Sequence, residues 1–241
     1  MIRVRVALLA AAFVLVGTAG AAVHPTTHSA PARHAAVDWR GVVAPTADGG
    51  VRVGNPQAKV KLVEYFSTTC PHCAAFSKDA YPAILDKYVR GGQLSFEVRV
   101  ALRDAIDLIA AKSARCAAPP RYFATLEDIM GAQSDWEPKT IEWVNAHTDD
   151  LNGPKKDGAI RAMVTGVGIE AIVARHGVTP AALGACLQSK PIDQALERSS
   201  NDAWNVRKID GTPNFLINDV VQSTVYGWAG LEPLIQAALK A

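Results

Sequence analysis

The chain of 241 residues lacks most features that would assign a class at a glance. It has no excess of one charge: 25 Lys and Arg stand against 23 Asp and Glu, a formal net charge of +2. No basic stripe of the kind carried by nucleic-acid binders is present, which argues against such a partner. There is no internal repeat. The apolar run near the start, Val6 to Val16, is too short for a comfortable membrane span. Cysteine is scarce, with four residues at positions 70, 73, 116 and 186. None lies near residue 20, which argues against a lipid anchor. No second Cys-x-x-Cys exists to complete a zinc set, so no metal is expected.

What the N-terminus does have is the pattern of a secretory signal. Arg3 and Arg5 precede the apolar run, and Ala19-Gly20-Ala21 supplies small residues at the spacing of a cleavage site. Residues 1–21 are read as a signal peptide, with processing after Ala21 or Ala22 and export to the periplasm. Its removal takes away two arginines and no acid, leaving the rest formally neutral. Electrostatic steering is then a poor candidate for the main recognition device. Residues 22–38, rich in Ala, Pro, Thr and His, read as a flexible leader. His24, His28 and His34 lie there at a loose spacing that fixes no metal geometry.

The rest of the chain alternates in kind. Val51–Val53 and Lys59–Ser67 read as strands. In the latter, Val60, Leu62, Glu64 and Phe66 share one face. A helix is predicted from the Cys-x-x-Cys to about Tyr88, kinked at Pro82. A strand at 94–102 follows, with Leu94, Phe96, Val98 and Val100 set against polar neighbours. Residues 104–207 carry an almost wholly helical signal, with Thr179-Pro180 as one helix start. Strands are then predicted at 214–218 and 222–226 around a tight Asn218-Asp219 turn, followed by a helix at 231–240. The order is β-α-β, a helical block, then β-β-α. The strand clusters need each other to complete one sheet, so the block reads as an insertion that folds out. The implied domains are 39–103 plus 208–241, with 104–207 inserted.

Cys70-Pro71-His72-Cys73 falls at the strand-to-helix junction. With Cys70 as N-cap and Pro71 as the first helical residue, the free N–H groups of the first turn point at the Cys70 sulfur. The helix dipole adds partial positive charge, so thiolate is favoured over thiol. His72 adds donors. Cys73, one turn in, should be shielded and suited to resolving a mixed disulfide. Glu64 is an acid in an apolar stripe. Buried, it would have a raised pKa and could exchange a proton with Cys73; the alternative is an edge-strand acid facing solvent. In an oxidising compartment an even cysteine count suggests two pairs. Cys116 and Cys186 are then either a structural disulfide, the reading adopted, or two buried free thiols.

The run Glu64-Tyr65-Phe66-Ser67-Thr68-Thr69-Cys70-Pro71-His72-Cys73 resembles the active-site strand and motif of the bacterial DsbA family, and Gly211-Thr212-Pro213 resembles its cis-proline loop. Gly54-Asn55-Pro56 with Ala58 looks like the lead-in of the same group. The resemblance spans roughly 39–240. It implies an α/β thioredoxin fold, a mixed sheet flanked by helices, with an inserted all-helical domain. It also implies donation of a disulfide to reduced, folding exported proteins, and reoxidation by a DsbB-like, quinone-linked membrane partner. No bound cofactor is implied, and a monomer is expected. By the same resemblance Cys70 is the nucleophile, Cys73 the resolving thiol, His72 the tuner and Glu64 the buried acid. Pro213 faces the Cys-x-x-Cys, and the Thr212 backbone meets an extended substrate. Thr before the proline departs from the Val of the best-known members, and an extra pair such as Cys116 and Cys186 occurs only in some branches.

Two other functions compete. A disulfide isomerase or reductase of the DsbC or DsbG kind resembles this site, Thr before the proline included. Such proteins carry an N-terminal dimerisation domain, for which the roughly 35 residues between signal and first strands are too few. A periplasmic peptide-binding holdase would treat the Cys-x-x-Cys as incidental and keep its activity in a Cys70→Ser variant.

Overall fold

The computed structural model describes residues 37–241. The predicted signal peptide and nearly all of the leader, its three histidines included, lie outside the described residues. Six strands form one mixed sheet: β1 (Val43–Pro45), β2 (Val51–Gly54), β3 (Val60–Phe66), β4 (Leu94–Val100), β5 (Asn214–Ile217) and β6 (Val220–Val221). Their spatial order is β1-β2-β4-β3-β5-β6. Only β3 and β4 pair in parallel. Their crossover is helix α1 (Pro71–Ala83), which continues as wider π-type turns over Ile84–Val89. Pro82 sits at this change of winding. It cannot donate to the turn before it.

The predicted strand at 222–226 is not formed. Asn218 and Asp219 both adopt positive φ, 48° and 68°, the twist of a two-residue hairpin turn. Such a turn pairs its flanking residues at once, Ile217 with Val220, so β6 comes earlier and stops at Val221. The polar residues of β4 are not set apart by exposure. Ser95, Glu97 and Arg99 are as buried as their apolar neighbours, because both faces of the sheet are covered. One face packs Val60, Leu62, Phe66, Phe96 and Val98 against Phe76, Tyr81 and Ile235. The other packs Val63, Tyr65 and Leu216 against Ala203 and Ile209. Arg99 is tolerated there because its charge is matched, by Glu97 at 2.7 Å, Asp48 at 2.6 Å and Asp202 at 3.1 Å.

Between β4 and β5 the chain is helical: α2 (Ala105–Arg115), α3 (Tyr122–Gly131), α4 (Gln133–Ala146), α5 (Thr148–Asn152), α6 (Lys156–Gly166), α7 (Ile169–Arg175), α8 (Pro180–Leu187) and α9 (Lys190–Asn201). Thr179 caps α8 by accepting from Ala182 N–H at 3.2 Å, with Pro180 at the first helical position. A last helix, α10 (Trp228–Lys240), closes the chain. The insertion leaves the sheet but does not stand apart from it. One apolar cluster runs from the sheet through Phe123, Leu126 and Trp136 to Met163, Val173 and Leu183. Arg115 of α2 donates to the carbonyls of Gly50 and Gly49 at 3.0 and 3.1 Å. Gly49 also lies against α9, where a Cβ would stand 1.9 Å from the Ala195 carbonyl oxygen. These contacts fix the insertion against the β1–β2 hairpin.

Candidate active site

Strand β3 is central in the sheet, flanked by β4 and β5, and it delivers a buried loop, Ser67–Thr69, to the start of α1. Cys70 has extended backbone, φ −96° and ψ 116°, and occupies the N-cap, with Pro71 at the first helical position. Proline suits that place because its missing N–H has no intrahelical partner to lose. The N–H groups of His72 and Cys73 are directed toward the Cys70 sulfur, and the Ala74 N–H bonds the Cys70 carbonyl at 3.1 Å. Cys73, one turn on, is fully buried, and both are thiols.

Far along the chain, the Thr212–Pro213 peptide bond is cis, and the Thr212 carbonyl accepts a hydrogen bond from Cys70 Sγ at 3.2 Å. This loop, the Cys70 end of α1, Arg103 just before the insertion and Trp204 near its end enclose a cleft of about 400 Å³ lined by Cys70, Pro71, His72, Arg103, Trp204, Gly211 and Thr212. His72 and Pro71 are exposed at its edge.

The two sulfurs differ in proton affinity. The Cys70 thiol is pulled down to about 5. The Cys73 thiol, as hydrogen-bond donor, is the main cause; burial opposes it, and the Thr212 side chain and the N–H groups of Cys73 and His72 add to it. The Thr212 carbonyl itself works the other way, since an acceptor favours only the protonated sulfur. Cys73 is pushed well up, first by burial, then by its bond to Cys70 and by the nearby Glu64 charge. One sulfur is held ready as a thiolate while the other keeps its proton.

Glu64 is fully buried and lies in the central strand, not at an edge, with Val98 and Phe215 beside it. Burial raises it to about 8, against the opposing hydrogen bond from Tyr81. Tyr81 Oη donates to Glu64 Oε2 at 2.9 Å, and Oε1 has no partner. An acid in this state can hold a proton at neutral pH and give it up nearby. Sequence reasoning did not single out Tyr81, Arg103, Asp107, Gln133 or Trp204 around this site. Asp104 and Asp107 carried the one readable signal, a helix cap three residues ahead of its target: Asp104 Oδ1 accepts from Asp107 N–H at 2.8 Å. Cys116 and Cys186 lie within the insertion, joined as a disulfide.

Proteins built on this plan, with a Cys-x-x-Cys at a helix N-cap, a cis-proline loop opposite it and a helical insertion after the second core strand, make up the DsbA-like class of the thioredoxin superfamily. Comparison with known proteins agrees. Residues 46–237 match the family model described as Thioredoxin, and the chain belongs to that family. The crystal structure of protein-disulfide isomerase from Novosphingobium aromaticivorans is 30% identical, with a TM-score of 0.72, covering 81% of this chain and 100% of that one. Wolbachia pipientis α-DsbA1 has the same fold at 22% identity and a TM-score of 0.61, over 78% of this chain and 90% of that one. The Rickettsia felis protein named "Putative protein-disulfide oxidoreductase" is 29% identical over 80% of this chain. The match spans 61% of that relative's length.

Proposed function

We propose that this protein is an exported thiol–disulfide oxidoreductase that donates a Cys70–Cys73 disulfide to reduced proteins in the periplasm. The observation that carries this reading is the split between the two sulfurs, Cys70 pulled down to about 5 and Cys73 pushed well up. A substrate thiolate attacks the Cys70 sulfur, the Cys70–Cys73 bond breaks, and Cys73 leaves and takes up a proton, for which neutral Glu64 is the suited donor. A second substrate thiolate then attacks the substrate sulfur of the mixed disulfide. Cys70 departs as a thiolate, and the substrate keeps the new disulfide. The protein gains two electrons, which a DsbB-like, quinone-linked membrane partner would remove. A low leaving-group pKa at Cys70 speeds the second step, and stabilising the reduced form makes the protein's own disulfide easy to lose.

Export rests on the signal-like residues 1–21. The protein acts as a monomer in this reading. The cleft beside Thr212 suits an extended segment of an unfolded client, whose backbone would pair with that of Thr212.

A second reading, isomerisation, is favoured by the similarity to a protein-disulfide isomerase and by Thr212 ahead of Pro213. Recovery of reduced ribonuclease and of scrambled ribonuclease, at equal protein and defined glutathione, separates the two. Faster oxidation of the reduced substrate is expected. Equal recovery of the scrambled one would establish the isomerase instead.

A further inference from the structure

The loop Ser67–Thr69 carries the chain from β3 into Cys70, and it is buried. Buried backbone groups need partners, and the source of those partners is informative. Two bonds stay local: Thr69 N–H donates to Ser67 Oγ at 3.2 Å, and Cys70 N–H to the Ser67 carbonyl at 3.2 Å. The other three come from the segment that follows β4. Thr68 N–H donates to Asp107 Oδ1 at 2.8 Å. The Thr68 carbonyl accepts from Gln133 Nε2 at 2.6 Å. The Thr69 carbonyl accepts from Arg103 Nη1 at 3.0 Å. The Thr68 hydroxyl adds a bond to Asp107 Oδ1 at 2.6 Å.

The clamping side chains are themselves fixed. Asp107 is wholly buried in the first turn of α2, and its second oxygen accepts from Arg103 N–H at 3.1 Å. Asp104 caps the same turn through Asp107 N–H. Gln133 is buried at the start of α4. The loop therefore lies between the sheet and the insertion, and both sides of the Thr68 residue are held by the insertion. Local turn chemistry alone would leave these groups to water, which does not reach them.

We propose that Asp107 and Gln133 of the insertion, with Arg103 at its edge, are positioning residues for the Cys70 sulfur: through them the helical insertion, and not the thioredoxin core alone, holds the loop that aims Cys70 at the first turn of α1. Hydrogen bonds to a thiolate weaken steeply once they are bent. A loosened loop therefore costs the sulfur part of the support that makes it a thiolate. The role deepens the proposed function, since it concerns the same nucleophile, but the measurements that test it need no substrate.

The primary test is Gln133→Leu, which removes one donor at similar volume and leaves the charge of the protein unchanged. In the reduced protein, thiolate absorbance against pH should show the Cys70 midpoint moved up. Alkylation by iodoacetamide below that midpoint should slow severalfold. Amide exchange at Thr68 should quicken about fivefold, as expected for losing one buried hydrogen bond of typical strength. A folded variant with the parental midpoint and alkylation rate would overturn the proposal. Asp107→Asn should likewise quicken exchange at Thr68, because one face of the amide must present a donor where only acceptors fit; parental exchange in that variant would count against the clamp. If neither variant folds, the unsubstituted protein decides. Thr68 N–H should be protected like the amides of β3 although it sits in a loop, and exchange at open-loop rates would overturn the proposal. Failure to oxidise any substrate, with the midpoint shift intact, would sink the proposed function and leave the positioning role standing.

Discussion

Cys70 and Cys73 stand one helical turn apart and are thiols, whereas Cys116 and Cys186, 70 residues apart in sequence, are joined. The two regions place their sulfurs at opposite ends of a helix. Cys70 is the N-cap of α1, where free N–H groups and the positive end of the dipole meet the sulfur. Cys116 is the C-cap of α2, where carbonyl groups and the negative end lie, and its Sγ contacts the Lys112 carbonyl oxygen at 3.3 Å. The first place supports a thiolate, whereas the second sets a carbonyl oxygen against the sulfur. The better leaving group is the exchangeable sulfur, so one cysteine pair is suited to chemistry and the other to holding α2 against α8. Residue type alone does not separate them; the direction of the nearest helix does.

The sharpest way to break this contrast is Cys70→Ser. Oxidation of reduced ribonuclease should fall to the uncatalysed background, with the Cys116–Cys186 bond still present on non-reducing peptide maps. Retained oxidation would mean that Cys70 is not the exchanging thiol. Replacing Cys116 and Cys186 together by Ala tests the other pair. The loop they close should cost up to about 4 kcal/mol of stability by the chain-entropy relation. Urea unfolding of the oxidised proteins measures that loss, and turnover per folded molecule should stay near the parental value. A large drop in turnover at constant folding would show that the two regions are not separable.

Glu64→Gln addresses the acid beneath the reactive pair. Burial raises Glu64 from 4.5 to about 8, so the folded protein holds this proton more tightly than the unfolded chain does. The resulting stability is complete below about pH 4.5 and is lost progressively as pH rises towards about 8. At pH 7 the parent has lost up to roughly 3 kcal/mol on this account. The variant should therefore unfold at higher urea near neutrality, match the parent more closely at pH 4, and turn over more slowly because Cys73 lacks its proton partner. A parental stability profile between pH 4 and 8 would mean that Glu64 does not titrate as a buried acid. The smallest effect is one of order: in fully reduced protein at pH 6, iodoacetamide should label Cys70 severalfold faster than Cys116 or Cys186. Equal labelling would remove the helix-end explanation.

The sequence by itself determined what acts over a turn or two. The Cys70-Pro71 helix start, the Thr179-Pro180 cap, the Asn218-Asp219 turn and the alternation that puts Glu64 among Val60, Leu62 and Phe66 are local patterns, since caps, turns and strand faces follow from neighbours in the chain. Tertiary structure decided what needed distant residues to meet. Tyr81 reaches Glu64 across 17 positions, Asp107 reaches Thr68 across 39, Gln133 reaches Thr68 across 65 and Thr212 reaches Cys70 across 142. The same holds for Ser95, Glu97 and Arg99, which the sequence marks only as polar neighbours of an apolar stripe. Thr46 arrives to bond Glu97, and Asp48 and Asp202 arrive to match the Arg99 charge. A side chain's place in the local pattern sets which way it points; only the closed fold sets what it points at, and burial, proton affinity and partner all follow from that.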